Sequence, residues 1–407
     1  MIRRPTAILA LLTGLNFLNY MDRTLVAAVL PRIQDDLGMS NFEGGLLATV
    51  FLLGYFVTAP AFGARADRGP RKGLIALGVV VWSVATAASG LAGTLWTMLA
   101  ARAVVGVGEA SYATLAPTII DDLTPPEQKG RALAIFYLAT PLGSAVGYVM
   151  GGAIEKAWGW RAVFYVAGGP GVLLALLCLL VEEPARTLAT RRTRATENAG
   201  TLARIPLFRR AVLGYCAETA AVGAFAYWAP KYLHARFALA LDKANYWFGT
   251  VTVVAGAIGT VLGGRLADRA LRRHRGAVGH DDAVSRRGSN ELLRICAIGA
   301  AIAAPFALAA FLVPSPAPFF ALVAVVEIGV FMSASPINAA FLRTVPAELR
   351  ASAMAVSIFA IHMFGDLGSP PGVGLLLDVT TLVAAMMALP ALLALAAFLW
   401  WPRAREA

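Results

Sequence analysis

The feature that most constrains this chain is a series of apolar stretches, each long enough to cross a membrane. A helix needs about 20 mostly apolar residues to cross roughly 30 Å of hydrocarbon. Hydrophobic residues make up 58% of the chain and charged residues only 14%, and no stretch alternates as barrel strands do. The prediction is therefore an all-α integral membrane protein. Its twelve predicted transmembrane helices lie near 7–30, 43–62, 73–93, 96–118, 130–152, 161–181, 210–233, 245–264, 292–313, 317–340, 351–375 and 379–401.

The basic residues are distributed unevenly between the predicted loops. If the N-terminus is cytoplasmic, 27 of the 35 Lys and Arg residues lie in inner segments and six in outer segments. This is the positive-inside pattern, so the net charge of +11 reflects topology and attraction to anionic lipid. We therefore expect an inner or plasma membrane location, both termini in the cytoplasm, and membrane lipids as partners with no role for nucleic acid.

The two halves of the chain repeat a loop motif. Residues 63–68 and 264–269 share the pattern Gly-x-x-Ala-Asp-Arg, after the second and the eighth predicted helix. The repeat predicts two pseudo-symmetric six-helix bundles, at 1–181 and 208–407. Between them, the Arg-rich residues 182–207 are predicted to form a cytoplasmic linker that includes, as one option, a surface-lying stretch.

Three segments carry a family resemblance. Residues 63–72 (Gly-Ala-Arg-Ala-Asp-Arg-Gly-Pro-Arg-Lys) resemble the loop signature of the major facilitator superfamily, with Gly and Pro out of the usual order. Residues 19–23 (Asn-Tyr-Met-Asp-Arg) and 106–112 (Gly-Val-Gly-Glu-Ala-Ser-Tyr) resemble its Spinster branch, and Arg102 fits the superfamily's fourth-helix motif. The resemblance implies export of lysolipids or sphingolipid-like amphiphiles, coupled to protons in bacterial members.

Four ionisable residues interrupt the first and fourth predicted helices: Asp22, Arg23, Arg102 and Glu109. Each costs on the order of 2.5–3.5 kcal/mol at mid-membrane, so such residues usually face a cavity or a partner. At 1.5 Å per residue, Asp22 and Arg102 come to a similar depth, which predicts a salt bridge between them. Glu109 would then be less well paired, beside Arg23, and suited to carry a proton. The alternative is a buried charge network that only fixes helix packing.

Several other polar residues are weaker candidates. The predicted substrate or charge network comprises Asn19, Arg23, Arg102, Glu218 and His362, with Glu327, Asn338 and Asp366 as further polar residues in apolar helices. The predicted cytoplasmic gate comprises Asp67, Arg68, Arg71, Lys72, Arg131, Asp268 and Arg269, with Asp67 bonding to helix N-termini or to Arg131. The alternative for the gate is ordinary positive-inside charge. For Gly143, Gly147 and Gly151, both helix packing and a sliding face between the halves remain open.

No catalytic, cofactor-binding or metal-binding motif is present, and Cys178, Cys216 and Cys296 have no paired spacing. The leading hypothesis is a monomeric secondary transporter without cofactors. It would alternate access around a midplane cavity, carry an amphiphilic substrate, and exchange protons at Asp22 and Glu109. The rivals are a proton-linked drug exporter or small organic anion transporter and, in another class, a passive lipid scramblase or channel.

Overall fold

The computed structural model describes residues 2–66, 69–125, 128–183, 195–273 and 282–402. Regular structure in these residues is helical, apart from one isolated bridge between Ile2 and Val181. The first eight helices are α1 (Pro5–Leu37), α2 (Asn41–Ala66), α3 (Arg71–Ser89), α4 (Leu95–Leu123), α5 (Lys129–Trp158), α6 (Trp160–Leu179), α7 (Ala195–Arg204) and α8 (Pro206–Phe237). The others are α9 (Leu241–Arg273), α10 (Asp282–Leu312), α11 (Pro316–Phe331), α12 (Ala334–Arg343), α13 (Arg350–Ile361), α14 (Ser369–Val379), α15 (Leu382–Met386) and α16 (Ala388–Trp400).

Ten stretches of helix in the described residues are long and apolar enough to cross a membrane. They confirm the predicted all-α, multi-pass architecture. Helices α1 and α8, with 33 and 32 residues, are also long enough to cross but are not among the ten. These ten stretches, together with α1 and α8, are consistent with the twelve predicted spans. They do not by themselves establish that number.

The described chain groups into two compact units. Unit 1 contains residues 1–189 and 227–249, and unit 2 contains residues 190–226 and 250–407. Helices α8 and α9 therefore each contribute to both units. The predicted boundary of the two bundles at the linker stays a prediction.

In unit 1, α1 packs on α5, α4 packs on α2 and α3, and α3 packs on α6. Two glycines of α4 permit its close contacts. A Cβ on Gly106 would lie 2.0 Å from the carbonyl oxygen of Phe51, and one on Gly108 would lie 2.6 Å from that of Gly78. These approaches bring the charged face of α4 close to the neighbouring helices.

The three regularly spaced glycines of α5 all face α1. A Cβ added at Gly143 would lie 2.4 Å from the Phe17 carbonyl oxygen, and one at Gly147 would lie 2.0 Å from Thr24 Oγ1. At Gly151 the nearest atom would be the Ala28 Cβ, 2.8 Å away. The glycines therefore serve helix packing inside unit 1, the first of the two interpretations left open by the sequence.

Residues 227–249 join unit 1 through hydrogen bonds from polar side chains. Tyr227 donates its hydroxyl to the Gly44 carbonyl at 2.6 Å, and Lys231 donates to Gln34 Oε1 at 2.6 Å. Asn245, fully buried, donates to the Ala28 carbonyl at 2.9 Å. Polar side chains thus attach this segment to α1 and α2.

In unit 2, α10 packs on α11, α12 and α16. A π-helical turn at His362–Asp366 separates α13 from α14. Helix α7, inside the predicted linker, packs on α13: Leu202 is fully buried, and Asn198 Nδ2 donates to Ser352 Oγ at 3.0 Å. This part of the linker is therefore a helix attached to unit 2.

Candidate functional site

The centre of the candidate site is an ion pair between α1 and α4. Arg23 Nε donates to Glu109 Oε2 at 2.8 Å, and the Glu109 side chain is completely buried while 23% of the Arg23 side chain is exposed. The guanidinium carbon also lies 4.9 Å from the ring centroid of Tyr20, 5.1 Å from that of Phe51 and 5.6 Å from that of Tyr55. Aromatic faces within about 6 Å attract a cation. Arg23 is therefore held by one carboxylate and three rings.

Glu109 uses only part of its hydrogen-bonding capacity. Its Oε1 is buried and has no hydrogen-bond partner among the described residues. A buried charge depends on a partner to offset its lost hydration, and Glu109 has one such partner in Arg23. Protonation of Glu109 would remove its charge and release Arg23 for another anion.

Asp22 binds a hydroxyl instead of a cation. Thr86 Oγ1, on α3, donates to Asp22 Oδ2 at 2.5 Å, while Asp22 Oδ1 has no described partner. Asn19, one turn before Asp22 on α1, is 1% exposed and its Nδ2 also lacks a described partner. This face of α1 therefore presents two buried polar atoms with spare bonding capacity, which a proton or a polar ligand could use.

The predicted salt bridge between Asp22 and Arg102 is wrong. The described ion pairs do not include it, although the two residues are close enough to interact electrostatically. Arg102 is buried and lies 5.5 Å from the Phe51 ring, and its Nε and Nη1 have no hydrogen-bond partner among the described residues. The sequence argument compared depth along the helices only, and depth does not specify which direction a side chain points around the helix axis.

At the start of α3, Arg71 belongs to a network inside unit 1. Its Nη1 donates to Asp122 Oδ2 at 2.6 Å and its Nε to Glu183 Oε1 at 2.9 Å. Glu183 also accepts the backbone N–H groups of Arg71 and Lys72, and so caps the start of α3. Lys72 Nζ donates to the Val181 carbonyl at 2.7 Å. Two of the predicted gate residues therefore tie α3 to α4 and to the end of α6.

Of the other predicted gate residues, the three that the structure describes belong to no such network. Asp67 and Arg68 lie outside the described residues, so the predicted contact of Asp67 with Arg131 is not described. Arg131, Asp268 and Arg269 are exposed. Their gating role stays a prediction.

Unit 2 contains two buried carboxylates that meet hydroxyl groups. Glu218 Oε2 accepts a hydrogen bond from Ser333 Oγ at 2.6 Å, and Glu327 Oε1 accepts one from Thr252 Oγ1 at 2.8 Å. Each carboxylate keeps one oxygen without a described partner.

His362 and Asp366, four residues apart, contact each other. His362 Nδ1 lies 2.7 Å from Asp366 Oδ2, across the π-helical turn. Asn338, by contrast, is exposed and donates to the carbonyl of Ala334 in its own helix.

Sequence reasoning missed the hydroxyl partners of Asp22, Glu218 and Glu327. Thr86 and Thr252 lie in apolar helices and Ser333 lies between α11 and α12. No sequence pattern marks these three hydroxyl residues as partners of a carboxylate. Glu183 did leave a signal, because an acidic pair, Glu182 and Glu183, follows directly after a span that ends beside a basic predicted loop.

The helical membrane fold with buried charges is typical of membrane transporters, and the chain matches the model of a known transporter family. The chain belongs to the Major Facilitator Superfamily, whose model matches residues 12–365. It is a membrane transporter and not an enzyme. Within the superfamily it belongs to the Spinster branch, as shown by its similarity to the "probable sphingolipid transporter spinster homolog 2" of Arabidopsis thaliana, with 33% identity over 95% of this chain and 85% of that protein.

Another relative and two solved structures are also similar to this chain. Protein spinster homolog 1 of Homo sapiens is 34% identical over 92% of this chain and 73% of its own length. The crystal structure of a bacterial homolog to the human lysosomal transporter Spinster, inward-facing and unoccupied, has a TM-score of 0.82. The two sequences are 23% identical, and the superposition covers 98% of this chain and 96% of the bacterial one. This similarity supports the assignment of the fold. A D-xylose-proton symporter is also similar, with a TM-score of 0.77 and 18% identity over 99% of both chains.

Proposed function

We propose that this protein is a proton-coupled secondary transporter that moves an amphiphilic, lipid-like substrate by alternating access. The observation that carries the proposal is the ion pair of Arg23 and Glu109, which combines a fully buried carboxylate with a partly exposed cation. A transporter couples two ligands when binding of one changes the free energy of binding the other. At this site the proton and an anionic head group would act on the same pair.

The proposed sequence of events begins with Glu109 in the charged form, bonded to Arg23. Uptake of a proton by Glu109 removes the carboxylate charge, and Arg23 becomes available to the anionic head group of a substrate. The rings of Tyr20, Phe51 and Tyr55 then face the apolar part of the same molecule. Asp22, whose described side-chain hydrogen bond comes from Thr86, is the second proposed proton site.

The proposed substrate class rests on the relatives as well as on the site. The Arabidopsis thaliana relative is named a probable sphingolipid transporter, and an amphiphile of that type has a charged head and an apolar tail. A lysophospholipid or a sphingolipid-like molecule suits the combination of Arg23, Arg102 and their aromatic neighbours. Asn19, Glu218 and His362 are the further proposed contacts.

The decisive experiment uses the purified protein in proteoliposomes with a lysophospholipid, a phosphorylated sphingoid base, small organic anions and common cationic drugs as separate probes. Uphill accumulation of the amphiphiles under an imposed pH gradient, abolished by a protonophore, is the expected result. Movement that only equalises concentrations would indicate a passive scramblase or channel. Accumulation of drugs or small organic anions without the amphiphiles would assign a different substrate.

The proposed topology places both termini and the linker on the cytoplasmic side, with Asp67, Arg68, Arg71, Lys72, Arg131, Asp268 and Arg269 as the gate there. Loss of a charge-assisted bond, worth about 1.5–3 kcal/mol, would favour inward-facing forms in Asp67→Asn and Arg131→Ala. Spin-label distances across the cytoplasmic side should lengthen in both variants. Arg65→Ala, in the same basic segment, is the control, and equal distances in all three variants would remove the gating role.

A further inference from the structure

One cavity among the described residues is an apolar groove that none of the buried charged residues lines. It is a groove of about 690 Å³ between α3, α4 and the turn that joins them. A volume of this size falls within the roughly 300–1,000 Å³ of small-molecule sites. The groove is lined by one threonine, Thr97, and otherwise by apolar residues. The apolar residues include Val80, Val84, Ala88, Leu91, Ala100 and Ala101.

The groove is concave because short side chains face each other on two adjacent helices. Ala88 on α3 and Ala101 on α4 both line it, while Leu91 and Val104 stand at its sides with 75% and 43% of their surface exposed. A flexible hydrocarbon chain in such a groove contacts protein on several sides, which gains more dispersion energy than contact with a flat helix face. The shape therefore suits one acyl chain.

One end of the groove carries a cation. Arg161 Nη2 donates to the carbonyl of Ala92, a groove residue, at 3.2 Å. The Arg161 guanidinium also stacks over Trp160 at 4.3 Å and pairs with Asp36, and 41% of its side chain stays exposed. Trp96, 77% exposed, lies beside the groove residue Thr97. An arginine together with an exposed tryptophan is typical of the head-group level of a membrane.

We propose that the groove between α3 and α4 binds one acyl chain of a membrane phospholipid, with the phosphate of that lipid at Arg161. This lipid site is independent of the transported substrate and of proton coupling. The site is distinct from the proposed transport site. The groove lies on one face of α3 and α4, and Thr86 and Arg102 lie on the opposite faces of these two helices. Occupation of the groove would hold α3 and α4 together next to the Thr86–Asp22 hydrogen bond.

Native mass spectrometry of the full chain tests the apolar part of the site. The protein is stripped of lipid in detergent and titrated with phosphatidylglycerol. The wild type should retain one phospholipid, and Ala88→Leu and Ala101→Leu should each weaken retention about tenfold, because the added side chain displaces about two methylene groups from the groove. The matched control is Ala257→Leu, at an exposed position on α9, and it should bind as the wild type does.

The head-group part is tested with Arg161→Gln and Arg161→Lys. Phosphatidylglycerol binding should fall about tenfold in Arg161→Gln, as expected for the loss of one charged hydrogen bond, and largely recover in Arg161→Lys. Binding of diacylglycerol, which has no phosphate, should be equal in both variants and the wild type. Unchanged retention in the groove-filling variants, or an equal loss in Ala257→Leu, would overturn the site. Unchanged phosphatidylglycerol binding in Arg161→Gln would overturn the phosphate assignment.

Discussion

At the residue scale, the chemistry centres on Arg23, because this guanidinium has one carboxylate partner and several aromatic neighbours. A cation–π contact is worth about 0.5–2 kcal/mol, so the rings can hold Arg23 in place when Glu109 loses its charge. Glu109 has no comparable second contact, since its Oε1 lacks a described partner. The pair is therefore asymmetric: other contacts retain the arginine at the site, and the carboxylate is the proposed site of protonation.

Glu109→Gln is expected to abolish proton-driven net transport while substrate counterflow persists. The amide keeps the shape of the side chain and can still accept a hydrogen bond from Arg23, but it cannot release a proton. Both activities are measured in proteoliposomes. The matched control is Glu155→Gln, which alters the more exposed ion pair with Arg32. An unaltered pH dependence in Glu109→Gln would leave Asp22 as the proposed proton carrier.

Arg23→Ala is expected to reduce stability more than Arg102→Ala does. Removing Arg23 leaves the fully buried Glu109 without its cation, and breaking a buried pair in this way costs about 3–5 kcal/mol. Arg102 has no described carboxylate partner to strand. Thermal unfolding in detergent measures both effects, and the double variant Arg23→Ala with Glu109→Gln should recover most of the loss. Strictly additive losses would show that the two side chains do not interact.

At the scale of helices, the position of the charge cluster depends on how closely α1 and α5 approach. Gly147 contacts α1 next to Met21, the residue before Asp22 and Arg23. A helix that moved outward here would carry both charged residues with it. The glycines of α5 therefore contribute to the geometry of the site without contacting it.

Gly147→Ala is expected to destabilise the protein by about 1–3 kcal/mol, the usual cost of overpacking. The new Cβ would lie 2.0 Å from Thr24 Oγ1 and 2.5 Å from the Met21 carbonyl oxygen, so α1 must shift. The control is Gly169→Ala on α6, where nothing lies within 4 Å of the added atom. Equal melting temperatures for the two variants in detergent would contradict the close packing of α1 on α5.

At the scale of the whole molecule, topology is the property that the charge distribution predicts most directly. Inner predicted segments hold 27 basic residues and outer ones hold six. The positive-inside rule concerns insertion, so it acts through short loops and not through the folded contacts.

Cysteines introduced at Thr196 and Arg405 are expected to resist membrane-impermeant reagents in intact cells. A cysteine at Gly93, in the predicted outer turn between α3 and α4, is the positive control and should be labelled. The three native cysteines are buried, which keeps the background low. Labelling of Thr196→Cys or Arg405→Cys from outside would reverse the proposed orientation.

The sequence by itself determined that the chain lies in lipid, that its fold is helical, and which family it resembles. Long apolar stretches have one stable solution in lipid, because each backbone group must be bonded within its own helix. The residues of the candidate site in the first and fourth helices were also apparent, since each charge in such a stretch needs a partner. The packing role of Gly143, Gly147 and Gly151 was one of two options that their spacing alone left open.

Only the tertiary structure decided which charges meet. Depth along a helix follows from residue number, but the direction of a side chain depends on the rotation of the helix against its neighbours, which packing sets. For this reason Glu109 pairs with Arg23, Asp22 binds Thr86, and the expected bond between Asp22 and Arg102 is not formed. The capping of α3 by Glu183 has the same origin, because it joins residues 112 positions apart in the chain.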